Sequence, residues 1–90
     1  MGHSVTVSIR NRLGLHARAA NNFVRLANLY KSDITVAKGS QTVNGKSILG
    51  ILTLAAGHNS QITIKAEGED AKESIEALAE LVRNNFEIAG

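Results

Sequence analysis

Ninety residues, 43% hydrophobic and 20% charged, with two Phe, one Tyr and neither Cys nor Trp, suffice for one core built from Ile, Leu, Val and Ala, and too few remain for a second. This composition excludes disorder, collagen-like repetition, a disulfide framework, thiolate metal ligation and a cysteine nucleophile. A net charge of +2 without an aromatic pair for base stacking argues against a nucleic-acid binder, but the charge is unevenly spread: residues 1–66 carry eight Lys/Arg and one acid, Asp33, whereas 67–90 carry two bases and seven acids.

Val5, Val7 and Ile9 alternate with Ser4, Thr6 and Ser8, the period of a half-buried strand. Ala20, Phe23, Val24, Ala27 and Tyr30 recur at helical spacing and predict a helix over residues 17–30, with Arg25 and Asn28 toward solvent. Ile34 and Val36 predict a strand that turns at Gly39-Ser40 into a short partner over residues 41–43. Residues 47–54 are too uniformly apolar for periodicity to assign, but Ser47 is a favourable N-cap and Ala55-Ala56-Gly57 a stop, so a short helix is expected.

Ile62 and Ile64 mark a last strand that Gly68 breaks. Asp70 with Glu73 suggests a capping box, followed by the stripe Ala71, Ile75, Leu78, Ala79, Val82 and Phe86 on a final helix. The order β-α-β-β-α-β-α, with strands that each bury one face, predicts an α+β open-faced sandwich, a four-stranded antiparallel sheet covered on one face by three helices; chain order alone does not separate this from a ferredoxin-like fold. Residues 1–90 read as a single domain, without linker or repeat. The longest apolar stretch, residues 48–56, falls far short of the roughly 20 residues a spanning helix needs, and the opening residues match no signal peptide, so a cytoplasmic protein without membrane insertion is expected.

Chemical interest gathers at Gly14-Leu15-His16-Ala17-Arg18, where a coil becomes the first helix. A helix N-terminus presents unpaired amides and a partial positive charge, so a phosphoryl group is a fitting guest. Imidazole is substantially neutral near pH 7 and can attack phosphorus; the amides of Ala17 and Arg18 can hold phosphoryl oxygens, and the Arg18 guanidinium binds phosphate through two donors. On spacing alone the commoner reading is an ordinary loop histidine at 16 and a solvated first-turn Arg18. His3 and His58 are assigned to solvent, and a metal site joining His16 and His58 lacks a third ligand.

G-L-H-A-R-A-A at residues 14–20, V-N-G-K-S-I-L-G-I-L at 43–52 and the order of elements resemble the HPr family, the phosphocarriers of the bacterial phosphotransferase system, over essentially the whole chain. The resemblance implies a carrier, not a stand-alone enzyme, that needs neither metal nor cofactor. It would take a phosphoryl group from phosphorylated enzyme I, itself charged by phosphoenolpyruvate, and pass it to EIIA-type proteins. His16 would be the acceptor through its Nδ1, and Arg18 the neighbouring cation. Ser47 matches the serine that HPr kinase/phosphorylase modifies in some bacteria. Ile48, Leu49 and Leu52 match a docking patch, rimmed by Arg18, Lys46 and Arg25, with Ile51 expected to pack inward.

Two positions depart from the family pattern: Ala19 stands where many relatives have Pro, and Leu13 replaces a small polar residue, as in nitrogen-branch variants. The branch stays open on these grounds, and a monomer is expected. Two rival readings are an acylphosphatase-type hydrolase, which would not need His16, and a purely regulatory binding module of the same fold, which would respond only to Ser47.

Overall fold

The computed structural model describes residues 2–87. Its elements run β1 (Gly2–Ser8), α1 (Ala17–Ala27), β2 (Asp33–Lys38), β3 (Gln41–Asn44), α2 (Ile48–Thr53), β4 (Gln61–Glu67) and α3 (Ala71–Arg83). The four strands form one antiparallel sheet in the order β1-β4-β2-β3, with Val5 opposite Ile64 on one side of β4 and Val36 opposite Ile64 on the other. This is the predicted architecture. The alternation explains its single covered face: Val7, Ile34, Val36, Ile62, Ile64 and Ala66 are buried, while Thr6, Thr63 and Lys65 point away.

Phe23, Val24 and Ala27 of α1 and Ile75, Leu78, Ala79 and Val82 of α3 belong to the core cluster that these strands complete, and α3 lies against β1 and β4. Burying each of the Phe, Val, Ile and Leu side chains stabilises the fold by about 1.5–3 kcal/mol relative to leaving it in water.

The structure corrects three expectations about element ends. Helix α1 stops at Ala27, not Tyr30: the amides of Leu29 and Tyr30 tighten onto Leu26 and Ala27, the Asn28 side chain bonds the Val24 carbonyl, and the Lys46 ammonium donates to the Tyr30 carbonyl at 2.7 Å. Phe86 lies beyond α3, yet is buried. Ile9 falls just outside β1 but is fully buried, exchanging backbone bonds with Asn59 and Ser60.

The fourth correction concerns the capping box, which does not form: Asp70 is the N-cap of α3 but makes no side-chain cap bond there. Its carboxylate instead accepts from the amides of Lys31 (2.8 Å) and Ser32 (2.9 Å) and from the buried Ser32 hydroxyl (2.5 Å), fastening the α1–β2 connection to α3. Led by the Ser32 hydroxyl and then the Lys31 amide, these bonds hold the carboxyl below its ordinary value. A depressed carboxyl contributes stability that is fully present above the unfolded value of 3.8 and is lost as pH falls through the folded one. Asp70→Ala should therefore melt several degrees lower at pH 7, with the difference shrinking in acid below that value. Thermal melts across the acid range check this; a constant difference at all pH values would refute it.

Candidate functional site

Between β1 and α1 the chain is buckled by reciprocal bonds: the Gly14 amide donates to the Asn11 carbonyl (3.2 Å) and the Asn11 Nδ2 to the Gly14 carbonyl (2.8 Å). Gly14 adopts φ +63°, in the left-handed region, and a Cβ there would come within 2.4 Å of the Ala56 carbonyl oxygen. That approach lets the Leu15 amide bond the same Ala56 carbonyl at 2.9 Å, while the Leu15 side chain enters the core. The link ties the His16 loop to the segment following α2.

His16 is the N-cap of α1, with extended backbone (φ −78°, ψ 177°), and its carbonyl accepts the first intrahelical bond, from Ala20 at 2.9 Å. Its imidazole makes no capping bond, so the half-buried ring is not spent on helix formation. The amides of Ala17, Arg18 and Ala19 precede that first donor and have no intrahelical acceptor. No acid lies in the first turn of α1, so the helix end keeps its positive character. Ala19, buried where the family pattern has Pro, leaves the helix start intact.

His16 and Arg18 share a shallow cleft of about 200 Å³ with Leu13, Ala19 and Asn22, closed on its other side by Asn85, Phe86 and Glu87. Of residues 14–18, His16 and Arg18 line this cleft, Ala17 opens α1, and Gly14 and Leu15 are buried. The far wall comes from a segment remote in the chain, and its local signal is Asn84-Asn85, since asparagine tolerates left-handed backbone at a helix end and Asn85 adopts it. Leu13, 75% exposed beside His16, is a further apolar group at the cleft's lip.

Ser47 caps α2, its hydroxyl accepting from the Gly50 amide at 3.0 Å. Ile51 is buried, Leu52 half-buried against the core, and Ile48 and Leu49 are exposed, Leu49 by 73%. Helix α2 packs against α1, which places this apolar patch on an element adjoining the His16 helix. Lys46 is not a free rim charge, since its ammonium bonds the Tyr30 carbonyl. Among the described residues no cluster of three or more His, Cys, Asp or Glu could hold a metal, and no helix is long and apolar enough to cross a membrane.

A family model described as the PTS HPr component phosphorylation site matches residues 3–84. The phosphocarrier protein HPr of Neisseria meningitidis is 42% identical over 81 residues, 90% of this chain and 91% of that one. The crystal structure of HPr-C-His from Thermoanaerobacter tengcongensis matches at a TM-score of 0.90 and 42% identity, covering 93% of this chain and 94% of the other. A crystal structure from the same organism described as an HPr dimer matches at a TM-score of 0.76 and 42% identity, over 93% and 97% of the two chains.

Proposed function

The chain belongs to the HPr family, the phosphocarriers of the phosphotransferase system, and from that premise we propose that His16 receives a phosphoryl group from phosphorylated enzyme I and surrenders it to EIIA-type proteins. The observation that carries this reading is the uncommitted imidazole of His16 at the N-cap of α1, sharing a cleft with Arg18 and adjoining unpaired first-turn amides. A lone pair on Nδ1 bonds to phosphorus as the donor's bond to phosphorus breaks and its electrons return to the donor. The Ala17 and Arg18 amides and the Arg18 guanidinium meet the phosphoryl oxygens. A shallow, solvent-open site stabilises the group moderately, which suits a carrier that must release it.

The test is intact mass before and after incubation with enzyme I, magnesium and phosphoenolpyruvate. A carrier gains one phosphoryl group in an acid-labile, alkali-stable linkage; no gain in mass, with hydrolysis of a separately added acyl phosphate, would mean a hydrolase instead. The carrier needs no cofactor or metal of its own and works in the cytoplasm, where phosphoenolpyruvate arises. It acts as a monomer; sedimentation of the unmodified protein tests that, against the dimer described for the Thermoanaerobacter tengcongensis relative.

Ile48 and Leu49, with half-buried Leu52 on the same helix, serve as an apolar docking patch on α2, which packs against the helix that carries Arg18. Ser47, at the start of α2, is a modification site for HPr kinase/phosphorylase. A phosphate there would add nearly two negative charges beside a surface that meets an acidic partner. Ser47→Asp should slow transfer from enzyme I about tenfold at low salt, with the difference narrowing as salt is raised. Stopped-flow transfer kinetics at two ionic strengths check this, and equal rates at low salt would contradict it.

A further inference from the structure

A second cleft, of about 360 Å³, opens at the free edge of β1 and shares no residue with the His16 cleft: Thr6, Val7, Ser8, Arg10 and Arg83 line it. Strand β1 ends the sheet order and pairs with β4 alone, so half of its amides and carbonyls have no strand partner. The backbone bonds of Ile9 identify which half. Its amide donates to the Ser60 carbonyl at 2.8 Å and its carbonyl accepts from the Asn59 amide at 2.7 Å, both on the β4 side. Backbone groups alternate in direction along a strand, so Val7 also turns its own toward β4, and Thr6 and Ser8 turn theirs outward into the cleft. The two arginines stand on opposite faces of the sheet at this edge. Arg10 continues the parity of Thr6 and Ser8, opposite to the buried Val7 and Ile9, and so belongs to the uncovered face; Arg83 comes from the last turn of α3, on the covered face. Both are exposed and no carboxylate lines the cleft; Glu80, one turn before Arg83, meets the Asn84 side chain at 3.4 Å. The opposite edge strand, β3, is four residues long, and its cleft mixes Asp33 with Lys46.

We propose that the β1 edge is a docking site for an extended acidic segment of another protein, which adds to the sheet as a fifth strand, bonds the outward backbone of Thr6 and Ser8, and sets two adjacent carboxylates on Arg10 and Arg83. This goes beyond the carrier reading and does not depend on it. Adjacent residues of a strand point to opposite faces, so neighbouring acids reach one arginine each, whereas acids two positions apart share a face and leave one arginine unmatched. Main-chain bonds supply affinity and the charge pairs supply selectivity. A second copy of this chain does not fit. Its only adjacent acids, Glu69 and Asp70, lie at the start of α3, and the Asp70 carboxylate is held by the amides of Lys31 and Ser32.

Three short peptides, capped at both ends and otherwise built of Thr and Ser, test this on the full chain. One carries a central Glu-Glu pair, one the same two Glu two positions apart, and one a central Lys-Lys pair. The Thr6 and Ser8 amide resonances are followed during titration at low salt. The adjacent-acid peptide should shift both and bind about fivefold more tightly than the spaced-acid peptide, while the Lys-Lys peptide leaves them unmoved. Arg10→Gln and Arg83→Gln should each weaken the adjacent-acid peptide about fivefold, and raised salt should shrink those differences. Both arginines are exposed, so these variants keep the fold. Ser8→Pro, which removes an outward amide and no bond to β4, should weaken binding by a similar factor. The proposal is overturned if the adjacent-acid peptide shifts neither resonance, if the two acidic peptides bind equally, or if the Arg10→Gln/Arg83→Gln double variant keeps wild-type affinity. Thr6 and Ser8 resonances that move with protein concentration alone, the mark of a second copy at this edge, would overturn it as well.

Discussion

His16→Ala should abolish phosphorylation by enzyme I and phosphoenolpyruvate while the protein melts close to the wild-type temperature. The two halves have separate causes. The acceptor must be a nucleophile at this place, and neither His3 nor His58, both exposed, lines the cleft that holds His16 and Arg18. Stability is spared because the ring makes no capping bond, and the contacts that hold the loop are backbone ones: Leu15 to Ala56, and Ala20 to the His16 carbonyl. The cost should be within about 0.5–1 kcal/mol. Intact mass after incubation and a thermal melt decide both points. Full labelling of the variant would refute the acceptor assignment, and a collapsed melt would show that the ring has a structural role.

Gly14→Ala should have the opposite profile, a large loss of stability coupled to loss of transfer. Alanine at φ +63° costs about 1–2 kcal/mol in backbone strain alone. Its Cβ would also sit 2.4 Å from the Ala56 carbonyl oxygen and 2.7 Å from the Gly57 Cα, both backbone atoms that no rotamer change can move. Relief requires parting the Leu15–Ala56 bond, and so shifting the residue that precedes His16. A total of about 3–4 kcal/mol is expected, beyond the ordinary range for a surface loop. Denaturant unfolding gives the magnitude, and transfer rates measured well below the melting point show whether the loop has moved. Wild-type stability would mean that the close approach is not maintained in solution.

These two variants mark a boundary between local and long-range information. The position of His16 at a helix start was legible because a glycine, a polar ring and the onset of helical periodicity are adjacent in the chain, and the meaning of a helix start is written within one turn. Ser47 was legible for the same reason: an N-cap serine before an apolar run acts on an amide three residues away, and its hydroxyl bonds Gly50. Asp70 shows how the same logic misleads. Its position before α3 matched a local capping pattern, yet its oxygens are drawn to Lys31 and Ser32, whose donors are brought by another part of the fold and whose demands outweigh the helix's own.

Strand alternation and helical stripes were enough to establish three strands, the two longer helices and the covered face of the sheet, since each follows from how neighbouring side chains distribute between core and water; α2 and β3 needed the Ser47 cap and the Gly39-Ser40 turn. The same patterns placed His16 at the head of α1. The end of α1, the occupation of Lys46 by the Tyr30 carbonyl, the contact that forces glycine at position 14 and the turn of Asn85, Phe86 and Glu87 across the cleft belong to a different order of cause. Each depends on a donor or acceptor contributed by a segment remote in the chain. Periodicity records which face of an element is apolar, but it carries no record of which distant backbone group will be waiting when that face is buried.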